Sequence, residues 1–327
     1  MNKFLIIRIL GNDLEGLHGS NQTLTNLKFT LEHEPNFENV DKIYLLNRIY
    51  DTKKLNIIKN LLKEYNFKYI EIPFKIEEFM SIKYDPRIKN INLDKIHVRK
   101  NKRDMNKLLY NFNQYVINNN GSRNFCIDYG KKNGYEWVFP FDSNAYLTQN
   151  YFDIIIKNLK KDTRYIVIPQ IRLKDGGLVN EDILSRRKEN AIDNLKIQEP
   201  QVAFHINSKL KFNDKLSYGC CPKAEFLRVI KVPGRWNKWY DNIDYLGIPD
   251  RPKKNVKYQI LSKIIRLNPQ EMKNGSNSNK RIIGLLNLVN KIRKKNMIIE
   301  GFKNNKEDKI NILLILLLIL FFIIFLK

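Results

Sequence analysis

"NGSRNFCIDYGKKNGYEWVFPFDSNAYLT", residues 120–148, is the stretch on which the fold turns. At its centre, Trp137–Phe141 is an apolar and aromatic run without a polar break, the pattern of a strand buried on both faces. The run ends on Asp142, with Ser143 and Asn144 directly after it. Asp, Ser and Asn are common turn residues, so this ending reads either as an Asx turn or as part of a site.

Working towards the N-terminus, Phe4–Leu10 reads as a first buried strand, too short and without the cleavage signal of a secretory leader. A loop rich in Gly, Asn and Asp follows, "GNDLEGLHGSNQ", in which Ser20 or Asn21 is placed to cap a helix carrying Leu24, Leu27, Phe29 and Leu31. Lys42–Ile49 reads as a second strand, residues 51–66 as an amphipathic helix, and Tyr69–Phe74 as a third strand. This strand–helix alternation predicts an α/β fold: a mostly parallel sheet with helices on both faces. Residues 76–103 lose the pattern and read as a polar excursion over the sheet.

Towards the C-terminus, residues 151–161 read as a helix and 164–173 as a strand. Residues 199–206 read as a late strand, and 221–232 as a helix with Pro222 near its start, where the missing N–H costs nothing. The expected division is a domain over residues 1–250, a charged helical extension and linker over 251–309 with an amphipathic helix near 278–295, and an apolar segment over 310–326.

That last segment, "INILLILLLILFFIIFLK", has no polar residue from Ile312 to Leu326. With Ile310 it spans about 25 Å as a helix, the short end of a bilayer crossing. Lys303, Lys306 and Lys309 precede it, so the positive-inside rule predicts a single-pass C-terminal anchor with the large domain in the cytoplasm. The sequons at Asn21, Asn120 and Asn274 are then chance matches.

The chain has 327 residues, enough for a core that needs no disulfide support. Its three cysteines, Cys126, Cys220 and Cys221, have no metal-ligand spacing and their odd number argues against a secreted disulfide framework. Lys and Arg outnumber Asp and Glu by 58 to 34, a net charge of +24. The excess is mostly Lys, spread along the chain among many Asn and Ile residues, as AT-rich codon drift produces. No RNA-recognition signature, metal finger or Arg-rich block accompanies it, and no nucleic-acid partner is expected. The positive field suits phosphorylated small molecules and anionic lipid.

In a parallel sheet, ligands lie beyond the carboxyl ends of the strands, which places Asp142 at the binding edge. A carboxylate with a second oxygen ligand two residues on, Asn144, suits Mn²⁺ or Mg²⁺ holding a diphosphate. His205, at the end of "VAFHI", is a candidate third metal ligand, with a structural role on an apolar strand as the alternative.

The segment also resembles nucleotide-sugar glycosyltransferases of the GT-A type, in which an Arg-Asn pair opens a helix, a Gly follows it, and an apolar strand delivers an Asp-x-Asp-like motif. Arg123 and Asn124 match the pair, Gly134 the glycine and Asp142 the first acid, while Asn144 stands where that family usually has a second acid. "RILGNDLEGLHGSNQTL" and "FNDKLSYGCCPKAEFL" look like uncharacterised members of this group, including proteins of large DNA viruses.

The resemblance covers roughly residues 1–250. It implies a GT-A-like, Rossmann-like domain that moves a sugar from a nucleotide-diphosphate donor to a glycan, lipid or protein acceptor. Asn12, Asp13, Arg123 and Asn124 would then hold the nucleotide, with Arg8 nearby. Asp142, Asn144 and His205 would hold the metal. An inverting transferase needs a carboxylate to take the acceptor proton, and Asp214 and Glu225 are the candidates in the second half. Trp236, Trp239 and Tyr240 offer flat faces of the kind sugars stack on. Asp13 and Arg123 also fit plainer roles, a loop cap and a surface residue at a helix start. The rivals from other classes are an inactive relative serving as a membrane-anchored scaffold, which the Asp142-x-Asn144 ending keeps alive, and a basic nucleic-acid-binding membrane protein.

Overall fold

A computed structural model describes residues 3–18, 21–90, 99–172, 197–219, 222–234, 236, 247–249, 251–267 and 279–297. By its internal contacts the chain divides into a unit of residues 1–285 and a unit of residues 286–327. The expected apolar segment 310–326 lies outside the described residues, as do Trp239, Tyr240, Cys220 and Cys221. Among the described residues no helix is long and apolar enough to cross a membrane.

The first unit is built on one mixed sheet. Its strands are β1 (Phe4–Leu10), β2 (Val40–Asn47), β3 (Lys68–Ile72), β4 (Trp137–Asp142), β5 (Ala145–Tyr146), β6 (Tyr165–Arg172), β7 (Ile197–His205), β8 (Tyr258–Ile260) and β9 (Ile264–Arg266). They lie in the order β3-β2-β1-β4-β7-β6-β9-β5, with β8 also on β6. The block β3-β2-β1-β4 is parallel throughout, as the strand–helix alternation predicts. Strand β7 runs antiparallel to both β4 and β6. The sheet is therefore mostly parallel and Rossmann-like at one end and mixed at the other. Residues 258–266, past the boundary expected near residue 250, add β8 and β9 to it.

Side chains alternate across the parallel block. Phe4 and Ile6 of β1 join Trp137, Phe139 and Phe141 of β4 in one core beneath helix α7 (Gln149–Asn158). Leu5, Ile7 and Val138 face the other way, with Cys126 of helix α6 (Asn119–Lys132). Helices α1 (Gln22–His33) and α2 (Thr52–Glu64) cover the outer strands through Leu27, Leu31, Ile58 and Leu62. The excursion expected over residues 76–103 is instead partly helical, with α3 (Ile76–Met80), a 3-10 turn (Pro86–Asn90) and the start of α4 (Arg99–Leu108); α5 (Tyr110–Val116) follows. The remaining described helices are α8 (Pro222–Val229) and α9, residues 279–297.

Two local features set the edge of the sheet. Helix α6 ends in a Schellman motif: Gly134, at φ 76°, takes the left-handed position. The Tyr135 N–H donates to the Gly130 carbonyl and the Gly134 N–H to that of Lys131. The glycine between helix and strand is thus a backbone requirement that aims the chain into β4. Within β4, Pro140 pairs in register with Ile7 of β1, but β7 pairs with β4 only at Trp137 and Val138. Beyond Val138 the strand has a sheet neighbour on one side only, which is where a residue without an N–H fits. Beyond that point the Gln201 side chain of β7 still reaches Asp142 at the end of β4, at 3.1 Å.

Candidate functional site

Beyond the carboxyl ends of β1 and β4 lies a cavity of about 440 Å³. Ile9 and Asp142 sit side by side in the register, and the chain leaving β1 forms the Gly11–Asp13 wall. The N-terminal residues of three helices also line it: Gln22 and Thr23 of α1, Asn119 of α6, and Pro222 and Lys223 of α8. Their positive dipole ends favour an anion there.

Asp142 is at this edge, as expected, but its carboxylate is already occupied. Arg123 Nη2 donates to Oδ1 at 2.6 Å, while Lys223 Nζ and Gln201 Nε2 donate to Oδ2 at 2.9 and 3.1 Å. Burial alone would raise its pKa. The charges of Arg123 and Lys223 and the hydrogen bonds from Arg123 and Gln201 outweigh that and hold the carboxyl well below its ordinary range. Arg123 is itself oriented by Asn120 Oδ1 at 2.9 Å and lies over the Phe212 ring. It comes from the first turns of α6, where a solvated surface arginine was the plainer expectation, and it is almost wholly buried.

The remaining expected site residues divide sharply. Asn144 lines the cavity, and Asp13 does as well. Asp13 is a cap delivered from outside the helix: it accepts from the Thr23 N–H at 3.2 Å and the Thr23 hydroxyl at 2.6 Å, and it pairs with Lys54. Asn21, at the cap position itself, makes no side-chain capping bond. Asn12 is a structural clamp, donating to the Arg48 and Val116 carbonyls and accepting from the Tyr50 N–H. Asn124 turns away from the cavity and brackets the Phe212 backbone with both ends of its amide. Arg8 is buried and held by both carboxylate oxygens of Glu34, so it does not reach a ligand.

His205 is not a metal ligand for this site. It pairs with Trp137 at the opposite end of β4, about 16 Å from Asp142 at the usual strand rise. There it lines a separate cavity of about 560 Å³ at the amino ends of β1 and β4, edge-on to Trp137. Asp214 is exposed and outside the cavity lining. Glu225 is buried in a two-pronged pair with Arg251, at 2.6 and 2.5 Å. Neither is placed to take a proton at this edge. Trp236 is a core residue whose indole N–H donates to the Val232 carbonyl.

The donor set at Asp142 does not suit a divalent ion. Both carboxylate oxygens accept from cationic side chains, and among the described residues no three His, Cys, Asp or Glu side chains are grouped to hold a metal.

Several lining residues carried no sequence expectation. Arg266, ending β9, and Arg281, in α9, both line the cavity, and neither meets a carboxylate among the described residues. The Arg281 guanidinium lies over the Tyr218 ring at 5.0 Å. Gln170 of β6 is 2% exposed, and its amide nitrogen has no hydrogen-bond partner among the described residues. Glu199 of β7 lines the same space. Lys223 did carry a signal: a lysine in the first turn of a helix opposes the dipole, and locally broken rules mark sites.

No family model matches the chain, and no curated protein matches it. Among solved structures it is similar in fold to a 4-diphosphocytidyl-2C-methyl-D-erythritol synthase from Anaerococcus prevotii, at 12% identity over 88% of this chain and 96% of that one, with a TM-score of 0.30. A UDP-glucose phosphorylase from Trypanosoma brucei matches at 12% identity over 62% of this chain and 50% of that one (TM-score 0.29). Mouse xyloside xylosyltransferase 1 matches at 8% identity over 63% and 67% (TM-score 0.29). At these identities and scores the likenesses carry no functional argument.

Proposed function

We propose that the chain is a GT-A-like glycosyltransferase whose nucleoside-diphosphate sugar sits in the cavity beyond β1 and β4. The observation that carries this reading is the convergence there of Arg123, Lys223, Arg266 and Arg281 around one strand-end acid. The match of Arg123, Gly134 and Asp142 to the GT-A pattern supports it. In this reading Asp142 fixes Arg123 and Lys223, and the fixed cations take the diphosphate. Charge builds on that diphosphate as the bond from the sugar's anomeric carbon to its phosphate oxygen breaks, and preorganised cations stabilise it. The acceptor hydroxyl oxygen forms the new bond to that carbon. Its proton goes to Glu199, the cavity-lining carboxylate that meets no cation among the described residues. The apolar segment 310–326 is proposed to tether the enzyme to a membrane.

The test is release of nucleoside diphosphate from a panel of UDP- and GDP-sugars, with Glu199→Gln alongside the wild type. The expected result is turnover that falls about 100-fold in kcat for the variant, with donor KM little changed. Donor binding without turnover in the wild type would instead make the chain a donor-binding scaffold. Flotation with liposomes, with and without residues 298–327, tests the tether.

A further inference from the structure

The geometry points to a donor site that holds the diphosphate with protein cations alone, no divalent metal being required. This rests on the proposed function and names how that site recognises its ligand.

Charge matching is the first argument. Asp13 is matched by Lys54, and Asp142 by one of the two cations it binds. The surplus among Arg123 and Lys223, together with Arg266 and Arg281, is then set against Glu199, the remaining acid of the lining among the described residues. The balance is two positive charges, and a pyrophosphate diester carries one negative charge on each phosphate. A bound Mn²⁺ or Mg²⁺ would overshoot that balance, and it would have to compete with Arg123 and Lys223 for the Asp142 oxygens.

Unused hydrogen-bond donors are the second argument. Buried polar groups are almost always paired, because an orphaned donor costs on the order of 1–3 kcal/mol. Gln170 is nearly inaccessible, lines the cavity, and its amide nitrogen has no acceptor among the described residues. A phosphate oxygen in the cavity supplies such an acceptor. Arg266 and Arg281, which meet no carboxylate among the described residues, present planar forks that suit phosphate oxygens two at a time. They arrive from β9 and α9, elements other than the two that carry Arg123 and Lys223, so the cations lining the cavity come from four separate parts of the fold.

The experiment is calorimetric titration of the full-length protein with inorganic pyrophosphate and with UDP, once in excess EDTA and once with MnCl2. Saturable binding in EDTA is expected, at an affinity that MnCl2 does not improve. Arg281→Gln and Arg266→Gln should each weaken it about tenfold, and Gln170→Leu by a smaller factor. Lys157→Gln, in the other cavity, should leave it unchanged. Thermal unfolding in the absence of ligand shows that each variant is folded, and two independent arginine variants guard against the loss of one. Binding that requires MnCl2 would overturn the metal-free site while leaving the transferase reading standing. No binding of either ligand under both conditions would overturn the two together. Binding in EDTA that neither arginine variant weakens would place the anion elsewhere and overturn the inference alone.

Discussion

Arg123 reaches across from α6 to donate to Asp142 Oδ1 at 2.6 Å, and Lys223 takes the other oxygen of the same carboxylate. The acid that ends β4 thus acts on two cations from two different helices, and the cavity inherits their placement.

One consequence is a pH dependence of stability. The folded-state pKa of Asp142 is depressed, so its contribution is complete above the unfolded value near pH 4 and is lost as pH falls from there. Asp142→Asn removes that contribution at neutral pH and should cost about 3 kcal/mol, since it leaves Arg123 buried without its counter-charge. Urea unfolding should show a constant gap between wild type and variant above about pH 5 and a gap that narrows as pH falls below that. A gap that stays constant there as well would mean that the carboxylate is not held by these cations. In EDTA the variant should still bind pyrophosphate, which a metal-ligating aspartate would not allow.

His18 lines the same cavity and reports on it. Its Nδ1 accepts the Leu14 N–H at 2.9 Å, which fixes the neutral ring with its proton on Nε2. Burial lowers its pKa most; Arg266, Lys54 and Arg281 lower it further, and Asp13 only partly opposes them, leaving it at about 4. The unfolded chain takes up this proton near pH 6.5, so folding stability falls as pH drops from about 6.5 to about 4 and is constant above. A proton NMR titration should give the His18 midpoint near 4. Pyrophosphate, by offsetting the arginines, should move that midpoint upward. A midpoint unmoved by saturating ligand would place the anion away from Arg266 and Arg281.

Glu225 carries a prediction of the opposite kind. Paired with Arg251 in the interior, it belongs to the fold. Glu225→Gln should lower stability by about 3 kcal/mol, the usual cost of stranding one partner of a buried pair. Turnover per folded molecule should not change. A kcat that collapses with an intact unfolding curve would restore Glu225 as the base.

How much of this was legible before the structure is clearest at particular residues. The β4 ending was readable because an unbroken apolar run has to be a two-sided strand, and strand ends in parallel sheets face the ligand. Gly134 was picked out by the resemblance alone, and the structure supplies its reason, the left-handed residue that a helix turning into a strand needs. His205 misled because an apolar run carries no sign of its direction. Strand β7 runs against β4, so its last residue falls at the far edge of the sheet. Asn12 and Asn124 misled because an amide that clamps backbone and one that holds a ligand look alike in one dimension. Arg266 and Arg281 were invisible: in a chain with 58 basic residues nothing local marks the two that fold onto Asp142's edge.

The seat of α6 on the sheet supplies a last prediction, because that helix carries Arg123. Gly130 lies where α6 crosses β4, and a Cβ there would stand 2.3 Å from Val138 Cγ2 and 3.2 Å from Leu5 Cδ2. In an exposed helix, Gly→Ala would gain up to about 1 kcal/mol of propensity. Here the overlap falls on two buried side chains of β4 and β1 that have nowhere to move, and overpacking of that kind costs about 1–3 kcal/mol. The clash should win, leaving Gly130→Ala about 2 kcal/mol less stable, with α6 pushed outward and Arg123 drawn off Asp142, so pyrophosphate binding weakens too. Val138→Ala removes the nearest obstructing atoms. The double variant should therefore lose less stability than the two single losses combined, and it should recover binding relative to Gly130→Ala. Strict additivity in unfolding experiments, with no recovery of binding, would show that this contact does not set the position of Arg123.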